Sequence, residues 1–534
     1  MPRRSIMEHR FSEVPEINVP RSTFNRSHTL KTTFDADYLV PILVDEILPG
    51  DSISLDLSFI ARMSTPLYPI MDNLFLETFF FAVPYRLLWT NFEKMMGAQD
   101  NPADSIDYTI PEIQYGGAGH AIGSLADYMG IPTGVSGAGA NTLDYSALPF
   151  RAYNLIYREW FRSQDLQNSP TINTDNGPDG ATDFSLLKRT KRHDYFTSCL
   201  PFLQKGDAVD MPLGTSAPVE GTNTPPEFMD GVGGSSDTIR YRTPTADRIS
   251  GAAGHGWSDG DQLIWGDETG LQADLSSAVA PSVNELRLAV QTQRLLERFA
   301  RGGTRYVEIL RSVYGVTSPD FRHQRPEYLG GGSTVINISP IANTDFTAGS
   351  ANEGGFLSGA GTALGNGHGF TKSFTEHCVL LGLANVRGEI TYQQGLDRMW
   401  SRQTRLDHYS PPLAHIGEMS VLDKEIYIDS TTLNAGTHED VFGYQQRWAE
   451  LRHKKSWITG QFRSTAGTSL DPWHLSEEFS SLPTLDSTFI QSNTPMARVL
   501  ATPAEPDIIF DGYFNMKHTR PLPVFSVPGF IDHF

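Results

Sequence analysis

The sequence predicts a mainly β fold, an antiparallel sandwich interrupted by large loop and helical insertions, and three observations carry that expectation. Asp51 to Phe59 reads DSISLDLSF, placing Ile53, Leu55, Leu57 and Phe59 on one side and Ser54, Asp56 and Ser58 on the other, the period of a half-buried strand. At the far end, PDIIFDGYFNM (Pro506 to Met516) is equally rich in strand formers. Between them Gly206 to Ser282 follows neither strand nor helix rules and reads as a Gly/Pro-rich acidic surface excursion. A sandwich that joins such distant runs in one sheet tolerates long inserts, because loop closure costs little more as a loop lengthens.

The 534 residues exceed the usual span of one core, and we expect one sandwich with large excursions rather than two domains. The first 31 residues hold Arg3, Arg4, Arg10, Arg21, Arg26 and Lys31 against three glutamates, a basic arm of net charge +3 on a chain of net charge −20. Pro15 and Pro20 interrupt any helix there, so the arm is expected to be extended and to face nucleic acid or a neighbouring subunit. The overall acidity argues against a general nucleic-acid-binding surface, so any such contact is local.

From Pro66 to Pro84, Phe75, Phe79, Phe80 and Phe81 supply too much apolar surface for one exposed face, which predicts a core strand buried on both sides. Tyr153, Ile156, Tyr157 and Trp160 recur at helical spacing within Leu148 to Gln164, an amphipathic helix lying against the sandwich. Ser282 and Glu285 have capping-box spacing and open a helix whose stripe is Leu286, Ala289, Gln293, Leu296 and Ala300, ending at Gly302 and Gly303. A second, short helix starts near Thr304 and stops at Gly315.

The insert holds 12 acids against 3 bases in 77 residues, so it belongs outside the core. Its apolar residues Phe228, Tyr241, Trp257, Ile264 and Trp265 are too many for a linker and predict an ordered projection that packs on symmetry mates.

Catalytic signatures are near misses. Gly134 to Ala138 lacks the closing glycine of a nucleophile elbow, and Gly369 to Ser373 lacks the glycine before the lysine of a phosphate loop. His438 and Glu439 have no second histidine four residues on, and His368 and His377 are too far apart for one helical turn. Asp175, Asn176 and Asp179 lack the distal glutamate of a calcium loop. No cofactor, metal or catalytic residue is therefore expected. Cys199 and Cys378 cannot build a disulfide framework and are expected to be buried free thiols. Met-Pro-Arg-Arg leads into no apolar h-region, so we expect a product of a reducing cytoplasm without membrane insertion.

Long phrases resemble the major capsid proteins of the gokushovirus branch of Microviridae, small tailless bacteriophages with circular single-stranded DNA. They include RSTFNRSHTLKTTF (Arg21 to Phe34), LPFRAYNLIYREWF (Leu148 to Phe161), RHDYFTSCLPFLQKG (Arg192 to Gly206) and NELRLAVQTQRLLERFARGGTRYVEIL (Asn284 to Leu310). GVTSPDFRHQRPEYLGGGS (Gly315 to Ser333), LANVRGEITYQQGLDRMWSRQTR (Leu383 to Arg405) and TRPLPVFSVPGFIDHF (Thr519 to Phe534) continue the match to the end, and the insert is the main region without a matching phrase. The resemblance implies an eight-stranded antiparallel jelly roll and a T=1 icosahedral virion shell. It divides the chain into a basic arm (1–31), a first part of the jelly roll with a helical insertion (32–205), a threefold protrusion (206–282) and the remainder (283–534). Implied partners are further copies of the chain, packaged single-stranded DNA, an internal scaffolding protein, a small basic DNA-binding protein, a minor pilot protein and a bacterial host receptor met by the protrusion. Two other classes fit the sequence less well. A secreted carbohydrate-active jelly-roll protein needs a leader and a carboxylate pair in an aromatic cleft, and a host-binding spike leaves the large apolar remainder unexplained.

Overall fold

The computed structural model describes residues 20–115, 119–137, 142–210, 219–221, 227–230, 236–240, 250–251, 263–265, 271–273, 282–344 and 355–525. Nine strands form its principal sheet: β1 Ser22–Asn25, β2 His28–Phe34, β3 Val40–Ile47, β4 Ser52–Met63, β5 Leu74–Pro84, β6 Glu327–Ala342, β7 Leu357–Ser373, β8 Cys378–Gly388 and β9 Ile508–Arg520. Their hydrogen-bonded order is β1-β9-β4-β7-β6-β5-β8-β3, with β2 also on β9, and every pair is antiparallel. One four-stranded layer is therefore β2, β9, β4 and β7, and the other is β6, β5, β8 and β3. That interleaving is the jelly roll.

The two runs read as strands from opposite chain ends are neighbours. β4 pairs with β9 from Ser52 opposite Thr519 to Met63 opposite Ile508. Along β4 the residues Ile53, Leu55, Leu57, Phe59, Ala61 and Met63 are buried, while Ser54, Asp56, Ile60 and Arg62 are exposed, so the alternation places one face on the core. β6 and β7 are long enough to serve both layers: β6 pairs with β5 up to Ile336 and with β7 from Asn337, and β7 turns to β4 beyond Thr362.

The inter-layer core contains Phe34, Leu55, Leu57, Phe59, Leu76, Phe80, Phe510 and Phe514. A second cluster lies on the other face of β5 and contains Phe81, Val83, Leu381 and Leu383 with Trp89, Tyr153, Ile156 and Tyr157. Phe80 and Phe81 thus point into different cores, and the phenylalanine-rich run is buried on both sides as predicted. The covering element is helix α1, Leu148–Ile156, continued by a π-helical turn Tyr157–Phe161. A third cluster, with Tyr195, Phe196, Cys199, Tyr392, Val421, Ile426 and Phe442, is built by the long excursions after β5 and β8.

The chain divides into two compact units, Met1–Leu203 with Ala300–Phe534, and Gln204–Phe299. In the second, backbone strands pair at Val219–Gly221 with Leu271–Ala273, and Glu227–Asp230 lies between Ser236–Arg240 and Leu263–Trp265. Helix α2, Val283–Arg301, opens with the expected box: the Ser282 amide donates to Glu285 Oε2 at 2.6 Å and the Glu285 amide to Ser282 Oγ at 3.2 Å. Helix α3, Tyr306–Ile309, runs into a π-helical turn that ends on Gly315 in the left-handed region (φ 70°).

Candidate functional site

Of the basic residues singled out near the N-terminus, Arg21, Arg26 and Lys31 occupy the edge of the β9 layer. Arg21 donates to the Gly50 carbonyl (2.5 Å) and Ser52 Oγ (3.1 Å). Arg26 forks onto Asp45 (2.5 and 3.0 Å) and donates to Nδ1 of His518 (2.9 Å). Lys31 lies 3.4 Å from Asp511 and is 74% exposed. Each of these three ties to a different partner. Arg3, Arg4 and Arg10 lie outside the described residues.

His518 is fully buried, and accepting a hydrogen bond from Arg26 fixes the neutral ring with hydrogen on Nε2, which finds no partner among the described residues. Burial, then the positive charge of Arg520, pushes its pKa down to about 4. Glu77 on β5 shows the opposite balance. Burial alone would raise it, but the Arg387 hydrogen bond and the Arg189 charge hold it down at about 2.

Among the insert residues, the β-ladder places Phe228 directly opposite Trp265 and Ile264 opposite Met229. Tyr241 and Trp257 lie outside the described residues.

The near-miss motifs have structural occupations. Asp179 forks onto Arg151 with two 2.7 Å bonds, and Asp175 meets the same guanidinium at 3.2 Å, so these carboxylates are engaged by a buried cation. Gly369 lies in β7 where a Cβ would overlap the Leu55 carbonyl, a close-packing role. His368 is buried between the hydroxyls of Thr78 (2.8 Å) and Thr334 (3.0 Å). Cys199 and Cys378 are buried free thiols, as expected. Among the described residues no group of three His, Cys, Asp or Glu side chains is set to hold a metal, and no helix is long and apolar enough to cross a membrane.

Large apolar side chains remain uncovered in the single chain, including Leu288 (68% exposed) and Val290 on α2, Tyr314, Trp400 (65%) and Leu406. Scattered single residues are ordinary on a surface, but on α2 Val283, Leu286, Leu288, Val290 and Leu295 are all exposed beside the more covered Ala289, Gln293, Leu296 and Ala300, and Leu286, expected in that stripe, is 43% exposed. A cavity of about 770 Å³, bordered by the end of α2, α3 and the π-helical turn after α1, is lined by none of the predicted site residues. Its arginines come from distant parts of the chain, and only the basic phrases YREWFR and RLLERFARGGTR hint at them.

A jelly roll with uncovered apolar surface suits a structural, assembling subunit. The comparisons with known proteins agree: the family described as "Capsid protein (F protein)" matches residues 12–530. The chain is 44% identical to "Capsid protein VP1" of Bdellovibrio phage phiMH2K, covering 99% of this chain and 98% of that protein. It is 39% identical to "Capsid protein VP1" of Chlamydia phage 1 (98% of each chain) and 34% identical to "Capsid protein VP1" of Spiroplasma virus 4 (98% and 97%). The chain belongs to this phage capsid protein family and is a major capsid protein of the gokushovirus type.

Proposed function

We propose that the chain is the subunit of a closed T=1 icosahedral shell that encloses circular single-stranded DNA and assembles in the host cytoplasm. The observation that carries this reading is the match to capsid proteins along residues 12–530, which spans the whole jelly roll and both long excursions. Uncovered apolar groups such as Leu288 and Trp400 suit burial between copies, since removing apolar area from water favours association. The acidic insert forms the projection at the threefold axes and engages the host receptor, with Phe228, Tyr241, Trp257, Ile264 and Trp265 as its apolar framework. Arg3, Arg4, Arg10, Arg21, Arg26 and Lys31 serve the inner surface. The remaining partners are an internal scaffolding protein, a small basic DNA-binding protein and a minor pilot protein. The role is structural, without catalysis.

Co-expression with the scaffolding partner, followed by sedimentation and nuclease digestion, tests this reading. It expects one fast-sedimenting species of uniform size whose DNA resists nuclease. Monomers and small oligomers at every salt concentration would overturn it.

A further inference from the structure

We propose that the cavity between the π-helical turn after α1 and the segment Ala300–Ser312 binds the phosphodiester backbone of single-stranded nucleic acid. This deepens the encapsidation reading and rests on it. The cavity, about 770 Å³, falls within the size range of ligand sites. It is lined by Arg162, Lys191, Arg301, Arg305, Arg311 and Arg452 against three carboxylates, Asp165, Glu308 and Glu418, so it is locally cationic on a chain of net charge −20.

Half of these cations have no carboxylate partner among the described residues. Lys191 pairs with Glu477 at 2.5 Å, Arg301 with Glu418, and Arg305 with Glu308 at 3.0 Å. Arg162, Arg311 and Arg452 pair with no carboxylate among the described residues. Arg162 donates to the Gln167 carbonyl at 2.6 Å and Arg452 to Gln446 Oε1 at 2.6 Å. The Nε groups of Arg162 and Arg305 are buried without partners among the described residues. Burial first, then the neighbouring guanidiniums of Arg305 and Arg158, pushes the Arg162 pKa down and outweighs the nearby Glu159 carboxylate.

Guanidinium groups fork onto phosphate oxygens and are more weakly hydrated than ammonium groups, so phosphate is the anion this lining suits best. The three unpaired arginines stand on separate elements: the turn after α1, the turn after α3, and the segment following Ala449–Leu451. Charges spread around one cavity suit successive phosphates of a strand better than a single small anion. Tyr444 also lines the cavity and offers an aromatic surface for a base, the usual companion of such a backbone track.

The test uses the full chain as unassembled subunits, a mixed-sequence single-stranded DNA dodecamer as probe, and Arg311→Gln/Arg452→Gln as the variant, both positions being exposed. Arg405→Gln, outside the cavity lining, is the control. Each phosphate contact adds about −0.7 to the slope of log K against log salt for single strands. The double variant should therefore lose about 1.4 of that slope and bind the dodecamer at least about tenfold more weakly at low salt, while the control matches the unaltered protein. Equal binding and slope in the double variant would reject the site. Binding of inorganic phosphate but not the dodecamer would reject the strand, and equal competition by polyglutamate would replace it with an acidic peptide. Shells that assemble and protect DNA despite such a result would leave the encapsidation reading standing. Cavity-dependent DNA binding by a chain that never forms shells would reject that reading alone.

Discussion

Arg151→Met should be among the most damaging single substitutions in the chain, because of what it leaves behind. Arg151 is 2% exposed and its guanidinium serves both oxygens of Asp179, the Leu88 carbonyl at 3.0 Å and the Asp175 carbonyl at 2.9 Å. The Asp179 side chain is itself only 1% exposed. Methionine fills much of the volume but strands a buried carboxylate, a change that costs about 3–5 kcal/mol. With unfolding entropy of roughly 2.1 cal/mol/K per residue, a cooperative unit of Met1–Leu203 with Ala300–Phe534 should melt about 3–6 °C lower. Differential scanning fluorimetry of unassembled subunits reads this directly. Adding Asp179→Asn removes the stranded charge and should restore at least about a third of the loss. Calcium should not raise the melting point of the parent, because there the Asp175 and Asp179 carboxylates already hold the Arg151 cation. A single variant as stable as the parent, a double variant no better than the single, or a rise of the parent on adding calcium would each refute the reasoning.

Three further outcomes follow from other parts of the structure. Gly369→Val should abolish soluble folded protein, since its Cβ overlaps the Leu55 backbone on β4 and backbone cannot swing away; recovery of normal soluble subunit would contradict that. His518 has a folded pKa of about 4, below its unfolded value near 6.5. The unfolded chain therefore binds a proton that the folded chain refuses between these values, and stability falls as pH drops through that window, by up to about 3 kcal/mol for this group. Burial lifts Asp423 and Asp507 to about 6, which acts in the opposite sense there, so the expected result is a difference. His518→Gln should lose less of its melting point than the parent between pH 7 and pH 4.5, and parallel pH profiles would sink the idea. Replacing Asp207 to Ala280 by a short Gly/Ser linker should leave the jelly roll folded and assembling while host attachment is lost. Failure of the isolated subunit to fold would place the insert in the core, and normal attachment would remove its receptor role.

Much of the sandwich was legible because its periodicities are strong. β4 and β9 alternate cleanly, and the phenylalanine run of β5 demands two buried faces. The hydroxyl of Ser282 and the carboxylate of Glu285 announced the start of α2. The β6–β7 hairpin was not legible, although it links the two layers. Its sequence, with GGGSTVINISP and LSGAGTALGNGHGF, is rich in glycine and poor in large apolar residues. Glycines there permit close approach to neighbouring strands, so the signal that usually marks a turn marks tight strand packing instead. The third core cluster was also missed, because Tyr195, Tyr392 and Phe442 come from excursions with no shared period. The cationic cavity was hidden for the same reason: Arg162, Arg311 and Arg452 converge only in the fold.

The central claim is that this chain closes a shell, and electron cryomicroscopy of the product co-expressed with its scaffolding partner measures that most directly. The account predicts closed particles of one diameter with icosahedral symmetry, one jelly roll per asymmetric unit and the density of residues 207–280 rising at the threefold axes. Open sheets, small rings or isolated subunits under every assembly condition would contradict it.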